Sequence, residues 1–344
     1  MGNPIPRQEV FDTYWKFAAE RQLIFYRRLL GHRKPWTKDK ILQDYKFCNS
    51  FRASDRTSQF LLKRVIYNKE LSQEPEDIIF RLLLFRFFNK PETWLLLENL
   101  YGDPKISNFD VQRWYRDMDN GDGLFSGAYM LCGVKTFGFD KKHGNYLALV
   151  KHMMDDGIIP RILNAETLED VYKSLYGYPL VGKFHAYQIT TDMNYSPVVN
   201  FEENSFTMAG PGAERGIQKC FSSVDGLSCE ETIHWMRDHQ EENFLRLGYS
   251  TEHVWLWGRP LQNIDIQNVF CETDKYCRVA FPDLDAGGKT RIKSSFKPLP
   301  SHMRKEELFY PPKWGINSKL EKLPDVPPAE NSEDDEDLPW KMTW

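Results

Sequence analysis

The stretch YGYPLVGKFHAYQITTDMNY, residues 176–195, is predicted to form a short turn between two helices, with Gly182 opening the second helix. A glycine at a helix N-terminus lets a ligand approach the free backbone N–H groups closely. Together with Lys183 and Gln188, Gly182 therefore predicts a contact with a phosphate of DNA. Asp192 follows nearly three turns later and could reach what the turn holds. The alternative is an ordinary helical connection.

Length and composition predict a globular protein of one large domain or two ordinary ones, since 41% of the 344 residues are hydrophobic. No apolar run is long enough for a membrane span, and the first residues lack the apolar segment of a signal peptide. The six cysteines are scattered without a CxxC pair, so we predict reduced thiols and no metal site. The protein is therefore expected in the cytoplasm, of a host cell if it is viral, without a membrane partner.

The charge is unevenly distributed along the chain. Residues 1–70 contain 15 Lys and Arg against 7 Asp and Glu, whereas six acidic residues lie between Glu330 and Asp337. A basic N-terminal region is typical of proteins with a polyanionic partner. The tail from residue 281 onward is predicted to be extended or disordered, with an acidic end.

The rest of the chain is predicted to be mainly helical. Strong helical periodicity covers residues 11–30, and a further helix is expected to continue through residues 45–67. Arg52 and Arg56 would then share one face of that helix, which is either a solvated surface or a surface that follows DNA phosphates. Alternating, strand-like patterns are few, with 198–206 among them.

Two further segments carry candidate chemistry. Gly210 and Gly212 open a predicted helix that holds Arg215 near its start, which is a second candidate anion site. Later, Asp265, Asn268, Glu272 and Lys275 recur at three- and four-residue steps on one predicted helix. Such a polar ridge is either a set of surface ion pairs or the lining of a cleft with tuned pKa values.

Several segments together resemble one known family. They are residues 11–67, FNKPETW at 88–94, GKFHAYQITTDMNYS at 182–196, GPGAERGI at 210–217 and QNVFCETDKYCR at 267–278. In this order they resemble the alpha-glutamyl/putrescinyl-thymine pyrophosphorylase group, whose region is also called the hydroxymethyl-dU DNA kinase helical domain. The resemblance covers about residues 8–280, and it implies a role in hypermodification of thymine in bacteriophage DNA.

The reaction implied by the resemblance starts from a hydroxymethyluracil in DNA that a separate kinase has pyrophosphorylated. An amine, from an amino acid or putrescine, then displaces the pyrophosphate. A base inside a duplex must be flipped out to be reached, and the amine must lose a proton to a carboxylate. We expect the catalytic residues among Asp192, Asp265, Glu272 and Lys275. Arg215 and the Gly210–Gly212 turn are expected to bind the pyrophosphate, without a cofactor beyond Mg²⁺ on the pyrophosphate.

The family is related to helix-hairpin-helix DNA glycosylases, and YPLVGKFHA at 178–186 resembles their LPGVGxxTA hairpin. Leu180 stands in the place of the first glycine of that pattern. The resemblance therefore implies a mainly α, glycosylase-like domain over residues 8–280, followed by the tail 281–344. The expected partners are double-stranded DNA, the amine co-substrate and a hydroxymethyluracil DNA kinase. A DNA glycosylase and a non-catalytic DNA-binding module remain alternative functions.

Overall fold

The computed structural model describes residues 2–118, 123–127, 135–284, 291–292, 294–296 and 307–329. The predicted acidic end of the tail, 330–344, lies outside these residues. The described chain is mainly helical, as predicted. Its α-helices are α1 (Gln8–Leu29), α2 (Lys40–Asp44), α3 (Arg56–Phe60), α4 (Pro75–Phe88), α5 (Pro91–Tyr101), α6 (Val111–Asp117), α7 (Lys142–Asp155), α8 (Ile158–Leu163), α9 (Leu168–Leu175), α10 (Lys183–Tyr195), α11 (Pro211–Cys220), α12 (Cys229–Asp238), α13 (Gln240–Arg246), α14 (Thr251–Val254) and α15 (Asn263–Ala280).

The chain divides into two units. The first unit contains Met1–Asp55 and Ala209–Trp344, and the second contains Arg56–Met208. The sequence predicts one domain over residues 8–280 and does not separate these units, because the first one is assembled from two distant parts of the chain. Two short strands in the first unit, β1 (Ile5–Pro6) and β2 (Phe221–Ser223), pair antiparallel and join those two parts.

The first unit is organised around α15, which packs against α1, α11 and α12. Helix α11 approaches α15 closely because two of its residues lack a side chain. A Cβ atom on Gly212 would collide with the Cys271 side chain, and one on Gly216 would collide with the backbone of Phe270. Glycine at these two positions therefore sets the distance between the two helices.

Residues 307–329 belong to the first unit and contain two short 3₁₀ turns. Tyr310 and Val326 are buried, and the Tyr310 hydroxyl lies 2.8 Å from the Ser54 hydroxyl. The Trp257 indole donates to the carbonyl of Lys322 at 3.0 Å. This part of the tail, which was predicted to be extended or disordered, therefore packs within the first unit.

The second unit has a strongly apolar core helix, α4. Its residues from Ile78 to Phe88 are all buried, which fits a sequence that is apolar around most of the helix. Pro75 occupies the first turn, where a missing N–H costs nothing, and Asn89 ends the helix in the left-handed conformation. Helix α4 packs against α7 and α10.

The continuous helix predicted over residues 45–67 is wrong. Helix α2 ends at Asp44, a 3₁₀ turn covers Arg52–Ser54, and Asp55 is extended before α3 begins. Helix α3 then widens into a π-helix, Leu61–Ile66. The irregular part forms because carboxylates from elsewhere in the first unit bind its backbone N–H groups, as described below.

The strand-like pattern at 198–206 forms no strand. Asn194 takes both backbone groups of Phe201, since its amide donates to the carbonyl at 3.0 Å and its oxygen accepts from the N–H at 2.9 Å. These groups are then unavailable for a sheet ladder. Of the other strand-like pattern, at 126–139, residues 128–134 lie outside the described residues.

Candidate functional site

The polar ridge of α15 binds the irregular segment that precedes α3. Glu272 accepts a hydrogen bond from the Cys48 N–H at 2.9 Å and from the Lys275 ammonium at 2.6 Å. Asp265 accepts from the Arg52 N–H at 2.8 Å. Asp265 and Glu272 are only 5% and 7% exposed. Of the two alternatives for the ridge, surface ion pairs are therefore wrong for these two residues.

Two further groups complete this attachment. Asn268 donates to the carbonyl of Asn49 at 3.0 Å. Asp265 also accepts from the N–H of Gln262 at 3.0 Å and so caps the start of its own helix. The ridge therefore shapes residues 48–52, and three of its four members do so through backbone atoms.

Asp55 follows the bound segment, contacts it through Asn49, and was not among the predicted site residues. Its carboxylate accepts from the Asn49 N–H at 2.8 Å. Arg21 of α1 donates to the Cys48 carbonyl and to the Asn49 side chain, both at 2.9 Å. We call Arg21, Asn49, Asp55, Glu272 and Lys275 the Asp55 cluster.

The environment of Asp55 favours its protonated form. Burial raises the pKa of Asp55 to about 6, although the hydrogen bond from Asn49 and the charge of Arg21 oppose this rise. The nearby negative charge of Glu272 adds to it. A buried carboxyl group whose pKa is raised toward neutral pH is typical of acid–base catalysis.

The sequence does not predict the raised pKa of Asp55, because the partners of this residue come from separate elements. The sequence places Asp55 between two arginines, which suggests a local ion pair. In the structure Arg21 of α1 acts on its charge together with the nearby Arg52, and the opposing carboxylate, Glu272, comes from the other part of the first unit. The spacing of these residues along the chain does not predict that they come together.

A second cluster surrounds Asp274 on the same helix. Arg215 and Arg278 reach one carboxylate oxygen at 3.1 and 2.8 Å, and Lys219 reaches the other at 3.0 Å. Burial acts to raise the pKa of Asp274, but the three cations outweigh it and hold that pKa below its usual range. We call these four residues the Asp274 cluster.

The two clusters are neighbours on α15. Cys271 lies on the same helix, and burial raises the pKa of its thiol to about 11. That pKa also responds to charges from both clusters, including Lys275 and Arg215. Helix α15 therefore contributes residues both to the cluster that contains the titrating carboxyl group and to the cationic cluster.

The glycine turn before α11 serves helix packing at one of its two glycines. Gly212 faces Cys271, whereas Gly210 is the N-terminal capping position and Pro211 begins the helix. Arg215, the third predicted pyrophosphate-binding residue, is engaged with Asp274. Pyrophosphate binding by these residues stays a prediction.

In the second unit, the predicted turn connects α9 and α10. Leu180 has a φ of 66°, which is the left-handed conformation that glycine adopts most easily. Gly182 precedes α10, with open space where a side chain would be, and Lys183 is exposed. Gln188 is 5% exposed, so its side chain lies within the unit rather than on the surface.

Asp192 forms a buried ion pair with Arg86 of α4. Arg86 donates through Nε to Asp192 Oδ2 and through Nη2 to Oδ1, the latter at 3.0 Å. Neither side chain is more than 4% exposed, and Arg86 also donates to Asn89 at 2.7 Å. Both carboxylate oxygens thus hold an arginine inside the second unit, which identifies a structural role for Asp192.

The predicted common face of Arg52 and Arg56 does not exist, because the chain is extended at Asp55 between them. Arg52 is 5% exposed and lies in the 3₁₀ turn of the first unit, whereas Arg56 is exposed and begins the second unit. Asp265, Glu272, Lys275 and Arg215 belong to the first unit, and Gly182 and Asp192 belong to the second. A pocket shared by Glu272 and Asp192 stays a prediction.

A cavity of about 330 Å³ lies away from both clusters, and among its lining residues are Glu20, Arg27, Thr37 and residues 327–329. Thr37 and Arg27 already donate to Glu20, at 2.9 and 3.4 Å. Its polar groups therefore satisfy one another.

Within the described ranges, no group of three or more His, Cys, Asp or Glu side chains could hold a metal ion. No helix in the same ranges is both long and apolar enough to cross a membrane.

These features define a helical protein in which one long helix carries an acid–base cluster and an adjacent cationic cluster. Residues 8–286 match the family described as "5-hmdU DNA kinase, helical domain", and the chain belongs to this family. It is 26% identical over 295 residues to a 5-hmdU DNA kinase of Bacillus phage SP10. The match covers 80% of this chain and 46% of that protein, so the chain spans less than half of the relative. No solved structure matches the chain.

Proposed function

We propose that this protein modifies hydroxymethyluracil in DNA by transferring an amine onto its methylene carbon with release of pyrophosphate. Family membership supports the substrate, because the name of the family and of its phage relative refers to 5-hmdU in DNA. The observation that carries the reaction is Asp55, whose carboxyl group has a pKa raised to about 6 by burial and lies near the charges of Arg21 and Arg52. A phage relative also supports action in the cytoplasm of a host cell.

The chemistry needs a base and a stabilised leaving group. The amine nitrogen forms a bond to the methylene carbon, the bond from that carbon to the pyrophosphate oxygen breaks, and pyrophosphate leaves with the electron pair. The nitrogen must also lose a proton. Above pH 6 Asp55 is mostly ionised and can accept that proton. Asp192 and Glu272 are less suited, because Arg86 holds both oxygens of Asp192 and Glu272 is paired with the Lys275 ammonium.

Positive charge near the base would stabilise the departing pyrophosphate. Lys275 lies 2.6 Å from Glu272, and Arg21 contributes a second charge to the Asp55 cluster. Cations placed where negative charge develops are a major source of rate enhancement. Mg²⁺ bound by the pyrophosphate itself would add to this effect.

The hairpin of the second unit supports a DNA-binding role and the likeness to helix-hairpin-helix glycosylases. Leu180 has a left-handed backbone conformation, which a glycine, the residue of the glycosylase pattern at this place, adopts most easily. Lys183 and Arg56 are exposed and available to DNA phosphates. We propose that this hairpin holds the DNA backbone while the target base is flipped out.

A second candidate function is a non-catalytic DNA-binding part that serves a hydroxymethyluracil kinase. The observation that favours it is the match to less than half of a protein named as a kinase. Such a part would need the exposed cations but no titrating carboxylate.

Nucleoside mass spectrometry distinguishes the two. The protein is expressed with a hydroxymethyluracil source and the kinase, and the digested DNA is searched for a thymine analogue that carries an amine. Wild type should produce it and Asp55→Asn should not. Asp44→Asn is a matched control, because Asp44 is an exposed carboxylate of the same unit. Equal product from wild type and Asp55→Asn would contradict a catalytic role for Asp55, and no product from any variant would favour the binding module.

A further inference from the structure

The Asp274 cluster carries more positive charge than its carboxylate requires. Arg215, Lys219 and Arg278 all contact the one carboxylate, which leaves a surplus of two positive charges among the described residues of the cluster. A single arginine fork already satisfies a carboxylate. Three cations held together repel one another, so the arrangement would be stabilised by a further anion.

The two guanidinium groups have N–H donors left over. Arg215 contacts Asp274 through Nε and Arg278 through Nη2. Arg278 Nε is buried and has no hydrogen-bond partner in the described part of the chain. A buried donor without a partner is costly, and a bound oxyanion would remove that cost.

The cluster is recessed but open on one side. The side chain of Asp274 is 1% exposed and that of Lys219 is 6% exposed, whereas the side chain of Arg215 is 39% exposed. A compact anion could therefore reach the arginines from the Arg215 side. An extended DNA backbone would instead favour cations spread over an open surface.

We infer that Arg215, Lys219 and Arg278 form a binding site for a phosphate oxyanion, and specifically for inorganic pyrophosphate. The choice of pyrophosphate rests on the proposed function, whereas the surplus charge and the remaining donors do not. The site would hold the leaving group after it departs from the base. Asp274 and Arg278 lie on the same helix, α15, as Glu272 and Lys275 of the Asp55 cluster.

The test is isothermal titration of the free, full-length protein with sodium pyrophosphate at low salt. Wild type should bind it saturably, and Arg215→Gln should weaken binding roughly 10- to 100-fold, as expected for loss of a charge-assisted hydrogen bond. Arg246→Gln is the matched control. Arg246 belongs to the same unit, its side chain is equally 39% exposed, and it pairs with Asp12 at 2.6 Å. It should bind like wild type.

A second variant, Arg215→Lys, keeps the charge and removes the planar fork, and thermal unfolding of each variant verifies that it is folded. The affinity of Arg215→Lys should lie between those of wild type and Arg215→Gln. If wild type binds a short DNA duplex through Arg215 but does not bind pyrophosphate, the site belongs to the DNA backbone and the inference is overturned. No saturable binding of either would mean that the cations only neutralise Asp274.

The inference and the proposed function can fail separately, because this titration needs no turnover. Pyrophosphate binding without amine transfer would support the binding site and contradict the proposed reaction. Amine transfer without pyrophosphate binding at Arg215 would support the reaction and contradict the binding site.

Discussion

Replacing Asp192 by Asn should strongly destabilise the second unit. The new amide would put an N–H donor against a guanidinium that now donates to both carboxylate oxygens. Arg86 is 5% exposed and would remain charged and incompletely paired. Breaking a buried ion pair on one side costs about 3–5 kcal/mol. At about 2–4 °C per kcal/mol for a unit of this size, the melting temperature should fall by roughly 6–20 °C.

The assay is thermal unfolding followed by circular dichroism, combined with product formation measured per folded molecule. The double variant Arg86→Met with Asp192→Leu is the control, because replacing both charges by apolar groups is often neutral or stabilising. It should recover most of the lost stability. If Asp192→Asn melts within about 2 °C of wild type and yet forms no product, Asp192 is the catalytic base and the structural interpretation is refuted.

Other substitutions test the remaining parts of the account. With Asp55 as the base, the rate should rise about tenfold per pH unit up to a pKa of about 6 and then level off, and a rate independent of pH between 4 and 8 would contradict this. Because folding raises that pKa, ionisation of Asp55 opposes folding, and the free energy of unfolding should decrease as pH rises from about 4 to 6. Asp55→Asn should abolish this pH-dependent contribution. Glu272→Gln should lower the free energy of unfolding by about 1–3 kcal/mol, because it removes charge-assisted hydrogen bonds to a backbone N–H and to an ammonium group. An unchanged denaturation midpoint would show that these bonds are dispensable. Replacing Lys183 and Arg56 by Ala should reduce the slope of log affinity for DNA against log salt by roughly 2, whereas an unchanged slope would exclude both from the phosphate contacts. Leu180→Val should destabilise the hairpin more than Leu180→Gly, because a β-branched residue tolerates the left-handed conformation least, and the reverse order of melting temperatures would contradict the importance of that conformation.

Hydrophobic periodicity predicted much of the helical structure. The prediction for 11–30 agrees closely with α1, and the apolar run from Ile78 to Phe88 is the buried part of α4. These helices have enough apolar residues at helical spacing to fix their conformation locally. The break at Asp55 could not be predicted in this way, because carboxylates more than 200 residues away in sequence take the backbone N–H groups of Cys48 and Arg52.

The candidate site was only partly predictable for the same reason. The spacing of Asp265, Glu272 and Lys275 correctly placed them on one helix. Their burial and their backbone partners depend on how the first unit assembles from two parts of the chain. The raised pKa of Asp55 depends on its burial in the assembled first unit, and the ion pair of Asp192 depends on an arginine from another helix. A single sequence locates neither.

The most direct test of the proposed reaction uses a synthetic DNA duplex with one pyrophosphorylated hydroxymethyluracil. The duplex is incubated with the protein and with putrescine or individual amino acids, and both the base mass and the released pyrophosphate are measured. We predict one pyrophosphate released for each base that gains an amine, with wild type and Asp44→Asn active and Asp55→Asn inactive. Recovery of the unchanged pyrophosphorylated base with every amine, from folded wild-type protein bound to the duplex, would contradict amine transfer, as would the appearance of an abasic site.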